Sequence, residues 1–112
     1  MHFRRSISEI SVDELDALRA DGPAATAVLD VREHWEYRQG RVPGVIHIPL
    51  GELARRVGEL PRDRRIVVIC EHGSRSLTAA DFLAAHGFRE TASVAGGTTA
   101  WAMSGREIET GT

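Results

Sequence analysis

The chain contains a single cysteine and no lysine. One cysteine cannot form an internal bridge, and it excludes metal sites built from four cysteines or from two cysteines and two histidines. Without lysine there is no Schiff-base chemistry and no lysine for a Walker phosphate loop. All fourteen basic residues are arginines, whose charge is permanent. A formal net charge of −2 leaves no electrostatic footprint for nucleic acid. No run approaches the roughly 20 apolar residues of a membrane span. The amino end Met1-His2-Phe3-Arg4-Arg5 is basic, but no apolar run follows it, which argues against a signal peptide. The expectation is a soluble, cytoplasmic protein with neither nucleic acid nor membrane as partner. Its 112 residues suit one domain that buries a core without disulfides.

What is present is an alternation of two hydrophobic periods. Ile7 to Ile10 reads as a short strand. Ser11-Val12-Asp13-Glu14 has the form of a capping box, with Val12, Leu15 and Leu18 at helical spacing and Asp21-Gly22-Pro23 as the stop. Ala27 to Val31 reads as a buried strand. Arg32 to Gly44 reads as polar and irregular, with Trp35 and Tyr37 embedded; in such a loop they are expected to anchor it to the core or to wall a pocket. Val45 to Ile48 reads as a strand halted by Pro49, and Leu50 to Leu60 as a helix with Leu53, Val57 and Leu60 on one face. Ile66 to Cys70 opens with four β-branched residues, the strongest strand signal in the chain. Leu77 to His86 reads as a deeply buried helix closed by Gly87 and Phe88 in a Schellman ending. Ala92 to Val94 is a last strand, and Thr98 to Met103 a last helix carrying Trp101 into the core. The alternation argues for a parallel α/β sheet covered on both faces, whose ligands bind outside the carboxyl ends of the strands.

Cys70 lies at that edge. It ends a strand and opens the loop Glu71-His72-Gly73-Ser74-Arg75, with helical spacing from about Ser76. A sulfur there faces unpaired backbone N–H groups and a positive helix dipole, and both favour the anion over the thiol. Gly73 permits positive φ, so successive N–H groups can turn inward and make a bowl of donors. Such a bowl suits a thiolate, a persulfide or an oxyanion. Arg75 adds charge at the rim, either as a clamp on loop carbonyls or as a substrate binder. Glu71 and His72 are expected on the exposed part of the loop, with Ser74 and Ser76 capping the helix. Asp30 and Arg32 end a neighbouring strand and are expected to fix loops by hydrogen bonds. His34, His47 and His86 lack ligand spacing, so no metal is expected.

Four segments in order resemble the single-domain rhodaneses, a sulfurtransferase family. Asp30-Val31-Arg32-Glu33 is similar to the family's Asp-x-Arg strand end. Gly40 to Pro49 is similar to its Gly-His-Ile-Pro-Gly-Ala segment. Cys70-Glu71-His72-Gly73-Ser74-Arg75-Ser76 resembles its active loop, Cys-x-x-Gly-x-Arg-Ser, and Gly96-Gly97 with Trp101 its Gly-Gly…Ala-Trp. The resemblance implies one rhodanese-like domain over residues 1–112, with a central, mostly parallel five-stranded sheet and helices on both faces. It implies a Cys70 persulfide, with Glu71, His72, Gly73, Ser74, Arg75 and Ser76 binding substrate and Asp30 and Arg32 in support. A small-molecule donor such as thiosulfate would load the sulfur, and cyanide, a thiol or an acceptor protein would take it, without metal or organic cofactor.

The relatives that handle phosphate or arsenate have a longer loop. Only Glu71 to Ser74 separate Cys70 from Arg75, which disfavours a phosphatase. A relay module and a non-catalytic binding domain are the further alternatives. Arg41 stands where the family usually has histidine, and Thr98 and Thr99 where a bulky apolar residue is common. A carboxylate at Glu71 should discourage anionic donors unless an arginine offsets it.

Overall fold

The computed structural model describes residues 7–112. The basic amino end and the first six positions of the expected 1–112 domain lie outside the described residues. Five strands form one sheet in the order β1-β5-β4-β2-β3: β1 Ser8–Ile10, β2 Thr26–Asp30, β3 Ile46–His47, β4 Arg65–Ile69 and β5 Thr91–Val94. Every pairing is parallel. Four helices lie between them, α1 Val12–Ala20, α2 His34–Gln39, α3 Leu53–Arg56 and α4 Ser74–Ala85, and α5 Gly97–Met103 follows β5.

The two-residue period of the strands divides the core. Ala27, Leu29, Ile66, Val68 and Cys70 pack with Leu53, Leu60, Ala79, Ala80, Leu83 and Phe88, on the face covered by α3 and α4. Val28, Val67 and Ile69 pack with Leu15, Val94 and Trp101, on the face covered by α1 and α5. Each fully buried Leu, Ile or Val contributes about 1.5–3 kcal/mol. β2 and β4 are buried along almost their whole length, so hydrophobic burial fixes their register: Asp30 stands beside Ile69. That register brings the residues just past both strands, Arg32 and Cys70, to one edge of the sheet.

The helix ends follow the local signals. Ser11 accepts from the Glu14 N–H at 3.1 Å while Glu14 accepts from the Ser11 N–H at 3.2 Å. Gly87, at φ 88°, carries the Schellman turn, in which the Phe88 N–H reaches Leu83 O at 3.1 Å and the Gly87 N–H reaches Ala84 O at 3.3 Å.

Three expectations change. The segment from Arg32 to Gly44 is not wholly irregular, since His34–Gln39 is helical; Glu36 accepts from the free Glu33 N–H at 2.9 Å and so closes its first turn. Leu50 to Leu60 is not one helix. It is a 3₁₀ turn at Leu50–Glu52, α3, and a 3₁₀ turn at Val57–Glu59, with Gly51 and Gly58 in the two turns, where weak helix propensity lets the backbone tighten. Helix α4 begins at Ser74, two residues before the apolar spacing starts.

Candidate active site

The segment after β4 turns sharply because Gly73, at φ 109°, takes the N-cap position of α4. The turn brings the Gly73 N–H to 3.1 Å from Cys70 Sγ. Ser76, one turn into the helix, places its hydroxyl 3.3 Å from the same sulfur, as acceptor from the thiol. Ser76 is therefore a partner of the sulfur and not the helix cap, and Ser74 occupies the first helical position, exposed. Cys70 as a whole is only 1% exposed.

Arg75 clamps no loop carbonyl. Its two terminal nitrogens donate to the two oxygens of Glu36, at 2.7 and 2.8 Å, and so tie the first turn of α4 to α2. Glu36 is a site residue that the sequence patterns do not single out. Its signal was available in the spacing Glu33-x-x-Glu36, which marks a helix start. The hydrogen bond from Arg75 outweighs desolvation and holds the Glu36 carboxyl well below the usual range, at about 2. The Arg75 pKa is raised in turn by the same hydrogen bond.

Arg32 is 2% exposed and Asp30 0%. All five guanidinium donors of Arg32 are used. Nε meets Asp30 at 3.1 Å; one terminal nitrogen meets Asp30 at 2.8 Å and Gly40 O at 2.7 Å; the other meets Glu71 at 2.9 Å and Glu36 O at 3.2 Å. Burial disfavours the cation, yet the hydrogen bonds and charges of Asp30 and Glu71 outweigh it and raise the Arg32 pKa. Arg32, held by Asp30, is thus hydrogen-bonded to Glu36 O, Gly40 O and Glu71.

Glu71 corrects an expectation. It is not a free carboxylate at the exposed tip: one oxygen pairs with Arg32 at 2.9 Å, and the other accepts from the Thr99 hydroxyl at 3.1 Å. The arginine that offsets its charge is Arg32. His72, like Ser74, is exposed.

The amino end of α5 holds the loop from the other side. The Thr98 N–H and hydroxyl both donate to Cys70 O, at 2.8 and 3.1 Å, and the Thr99 N–H donates to Glu71 O at 3.1 Å. The two threonines that depart from the apolar pattern are therefore loop-binding donors. Gly97 permits this approach, since a Cβ there would overlap the carbonyl oxygens of Cys70 and Glu71.

Trp35 is 62% exposed, so it does not anchor α2 to the core. Tyr37 is half-buried, stacked on His47 with ring centres 4.3 Å apart and carrying the Arg41 guanidinium at 4.1 Å. Arg41, in the position of the family's histidine, also donates to Tyr37 O and Gly111 O. A cleft of about 470 Å³ lined by Arg19, Pro23, Thr26, Pro61 and Arg64 lies at the amino edge of the sheet, away from Cys70.

The family model described as Rhodanese-like domain matches residues 11–104. YrkF of Bacillus subtilis, whose name marks it as a candidate sulfur carrier, is 40% identical over 96 residues, 86% of this chain and 51% of that protein. The chain thus spans about half the length of that relative. A sulfurtransferase of Allochromatium vinosum is 32% identical over 102 residues, 91% of this chain and 94% of that protein. The crystal structure of a rhodanese-related protein from Thermoplasma volcanium superimposes with a TM-score of 0.82 at 34% identity, covering 91% of this chain and 97% of that one. With a sulfur-bearing loop at the carboxyl edge of a five-stranded parallel sheet and a family match over most of its length, the chain belongs to the rhodanese-like domain family.

Proposed function

We propose that the protein is a sulfurtransferase that carries sulfane sulfur from a donor such as thiosulfate to a nucleophilic acceptor, cyanide or a thiol, through a persulfide on Cys70. The observation that supports this most directly is the setting of the sulfur: the Gly73 N–H donates to it at 3.1 Å, and the thiol in turn donates to the Ser76 hydroxyl oxygen at 3.3 Å. In the first step Cys70 thiolate attacks the outer sulfur of thiosulfate. A new S–S bond forms, the S–S bond of the donor breaks, and sulfite leaves with its electron pair. The acceptor then attacks the outer sulfur of the persulfide, and Cys70 departs as thiolate. The Gly73 N–H suits each anionic state of the sulfur, because it is oriented before charge develops. Since Cys70 is 1% exposed, the donor reaches it only when the surrounding loop opens.

Glu71, His72, Gly73, Ser74, Arg75 and Ser76 form the substrate loop in this reading, and Asp30 and Arg32 hold it. The chemistry needs neither metal nor organic cofactor. Among the described residues no helix is long and apolar enough to cross a membrane. A cytoplasmic setting belongs to this reading because the mechanism needs Cys70 as a reduced thiol.

A relay to an acceptor protein is the second reading. It is favoured by the candidate sulfur carrier in which the matched domain makes up about half the chain. Initial-rate kinetics with thiosulfate and cyanide test the first reading: parallel double-reciprocal lines are expected, and intersecting lines would overturn the covalent intermediate. A protein acceptor preferred over cyanide by orders of magnitude would select the relay.

A further inference from the structure

Behind the loop, the sulfur connects to a second buried hydroxyl. Ser93 lies on β5, is 0% exposed, and its Oγ is 2.7 Å from Ser76 Oγ. Among the described residues Ser76 Oγ is the sole hydrogen-bond partner of Ser93 Oγ. Ser76 by contrast has two further neighbours, Cys70 Sγ at 3.3 Å and Gly73 O at 3.2 Å. We propose that Ser93 is a positioning residue for the reactive sulfur: it donates its proton to Ser76 Oγ, and so leaves the Ser76 proton free to turn toward Cys70 whenever the sulfur is anionic.

The direction of the bond follows by elimination. Each hydroxyl has one proton. If Ser76 donated to Ser93, the Ser93 proton would be buried with no acceptor, at a cost of about 1–3 kcal/mol. Ser93 as donor avoids that cost. The Ser76 proton then has two destinations. While Cys70 is a thiol, the S–H donates to Ser76 Oγ and the Ser76 O–H rests on Gly73 O. When the sulfur is an anion, the Ser76 O–H swings from Gly73 O to the sulfur, and the Ser93 bond stays in place throughout. A chain in which Ser93 donates to Ser76 and Ser76 to sulfur is polarised in one sense, so each link strengthens the next. The hydroxyl of Ser93 thereby favours the anion without touching it. The inference rests on Cys70 being the nucleophile proposed above.

Cys70 is the only thiol, so alkylation by iodoacetamide reports on it alone. The experiment compares wild type, Ser93→Ala, Ser93→Thr and Ser93→Val from pH 5 to 10, with thermal melting as the check on fold. Ser93→Ala is expected to slow alkylation at neutral pH about three- to tenfold and to move the pH profile upward. Thr and Val have the same shape, so they isolate the hydroxyl: Thr is expected to keep the wild-type profile and Val to shift it. The effect of Ser93→Ala is expected to vanish in a Ser76→Ala background, because Ser93 acts through Ser76. A wild-type profile in Ser93→Ala, equal profiles for Thr and Val, or an undiminished effect in the Ser76→Ala background would each overturn the proposal. Alkylation requires no sulfur donor, so it stands apart from persulfide loading: a chain that never gains sulfur but shows the Ser93 pattern refutes the sulfurtransferase reading and leaves this one in place.

Discussion

The carboxylate of Glu36 meets both terminal nitrogens of Arg75, at 2.7 and 2.8 Å, and this pair joins α2 to the first turn of the loop helix. Arg75 therefore approaches the site already engaged. Its charge is available to an anionic donor only as part of a pair, and its main effect is to hold the Cys70 to Arg75 turn in shape. Glu36→Gln keeps the size of the side chain and removes the charge. It is expected to lower the melting temperature and to reduce kcat/KM for thiosulfate by about tenfold, a loss of roughly 1.4 kcal/mol.

The same pair has a pH signature. Glu36 titrates at about 2 in the folded protein against an ordinary value of 4.5. A carboxyl with a lowered pKa stabilises the fold fully above its ordinary value, and that contribution fades as pH falls toward the folded value. The difference in urea midpoint between wild type and Glu36→Gln should be constant above about pH 5 and should shrink toward pH 2. A difference independent of pH throughout that window would show that the pair contributes nothing to stability.

Gly97 is the point of closest approach between α5 and the loop, at φ 60°. Gly97→Ala forces a Cβ onto the carbonyls of Cys70 and Glu71. The strain is on the order of 1–3 kcal/mol and falls on the loop. Activity is expected to drop at least tenfold while far-ultraviolet circular dichroism stays that of the wild type. Wild-type kinetics in this variant would mean that the loop tolerates displacement from α5.

Glu71 tests whether its charge is already neutralised. Its carboxylate is shared between Arg32 at 2.9 Å and Thr99 at 3.1 Å. Glu71→Gln should accordingly change the KM for thiosulfate less than about threefold, since a paired charge repels an incoming anion weakly. A tenfold improvement in KM would instead identify Glu71 as an open barrier to anionic donors.

Much of this was legible in the chain. The β-branched run before Cys70, the glycine three residues on and the arginine beyond it located the loop between a strand and a helix. The capping box at Ser11 and the Schellman signal at Gly87 marked helix ends because both depend on local backbone groups. Helix α2 shows no hydrophobic period, because it is six residues long and its buried side chain is a carboxylate; the Glu33-x-x-Glu36 spacing is its one local mark. The role of Glu36 was hidden, as its partner lies 39 residues away. Ser93 carries no local signal either: a small residue on a buried strand reads as packing, and its contact with Ser76 spans 17 residues. The threonines at 98 and 99 read as departures from a pattern, and only the fold brings their donors onto the carbonyls of Cys70 and Glu71.

The most direct test of the central claim is the intact mass of wild type and Cys70→Ser after incubation with thiosulfate. The account predicts that wild type alone gains the mass of one sulfur atom and loses it on addition of cyanide. No gain in wild type, or an equal gain in Cys70→Ser, would contradict it.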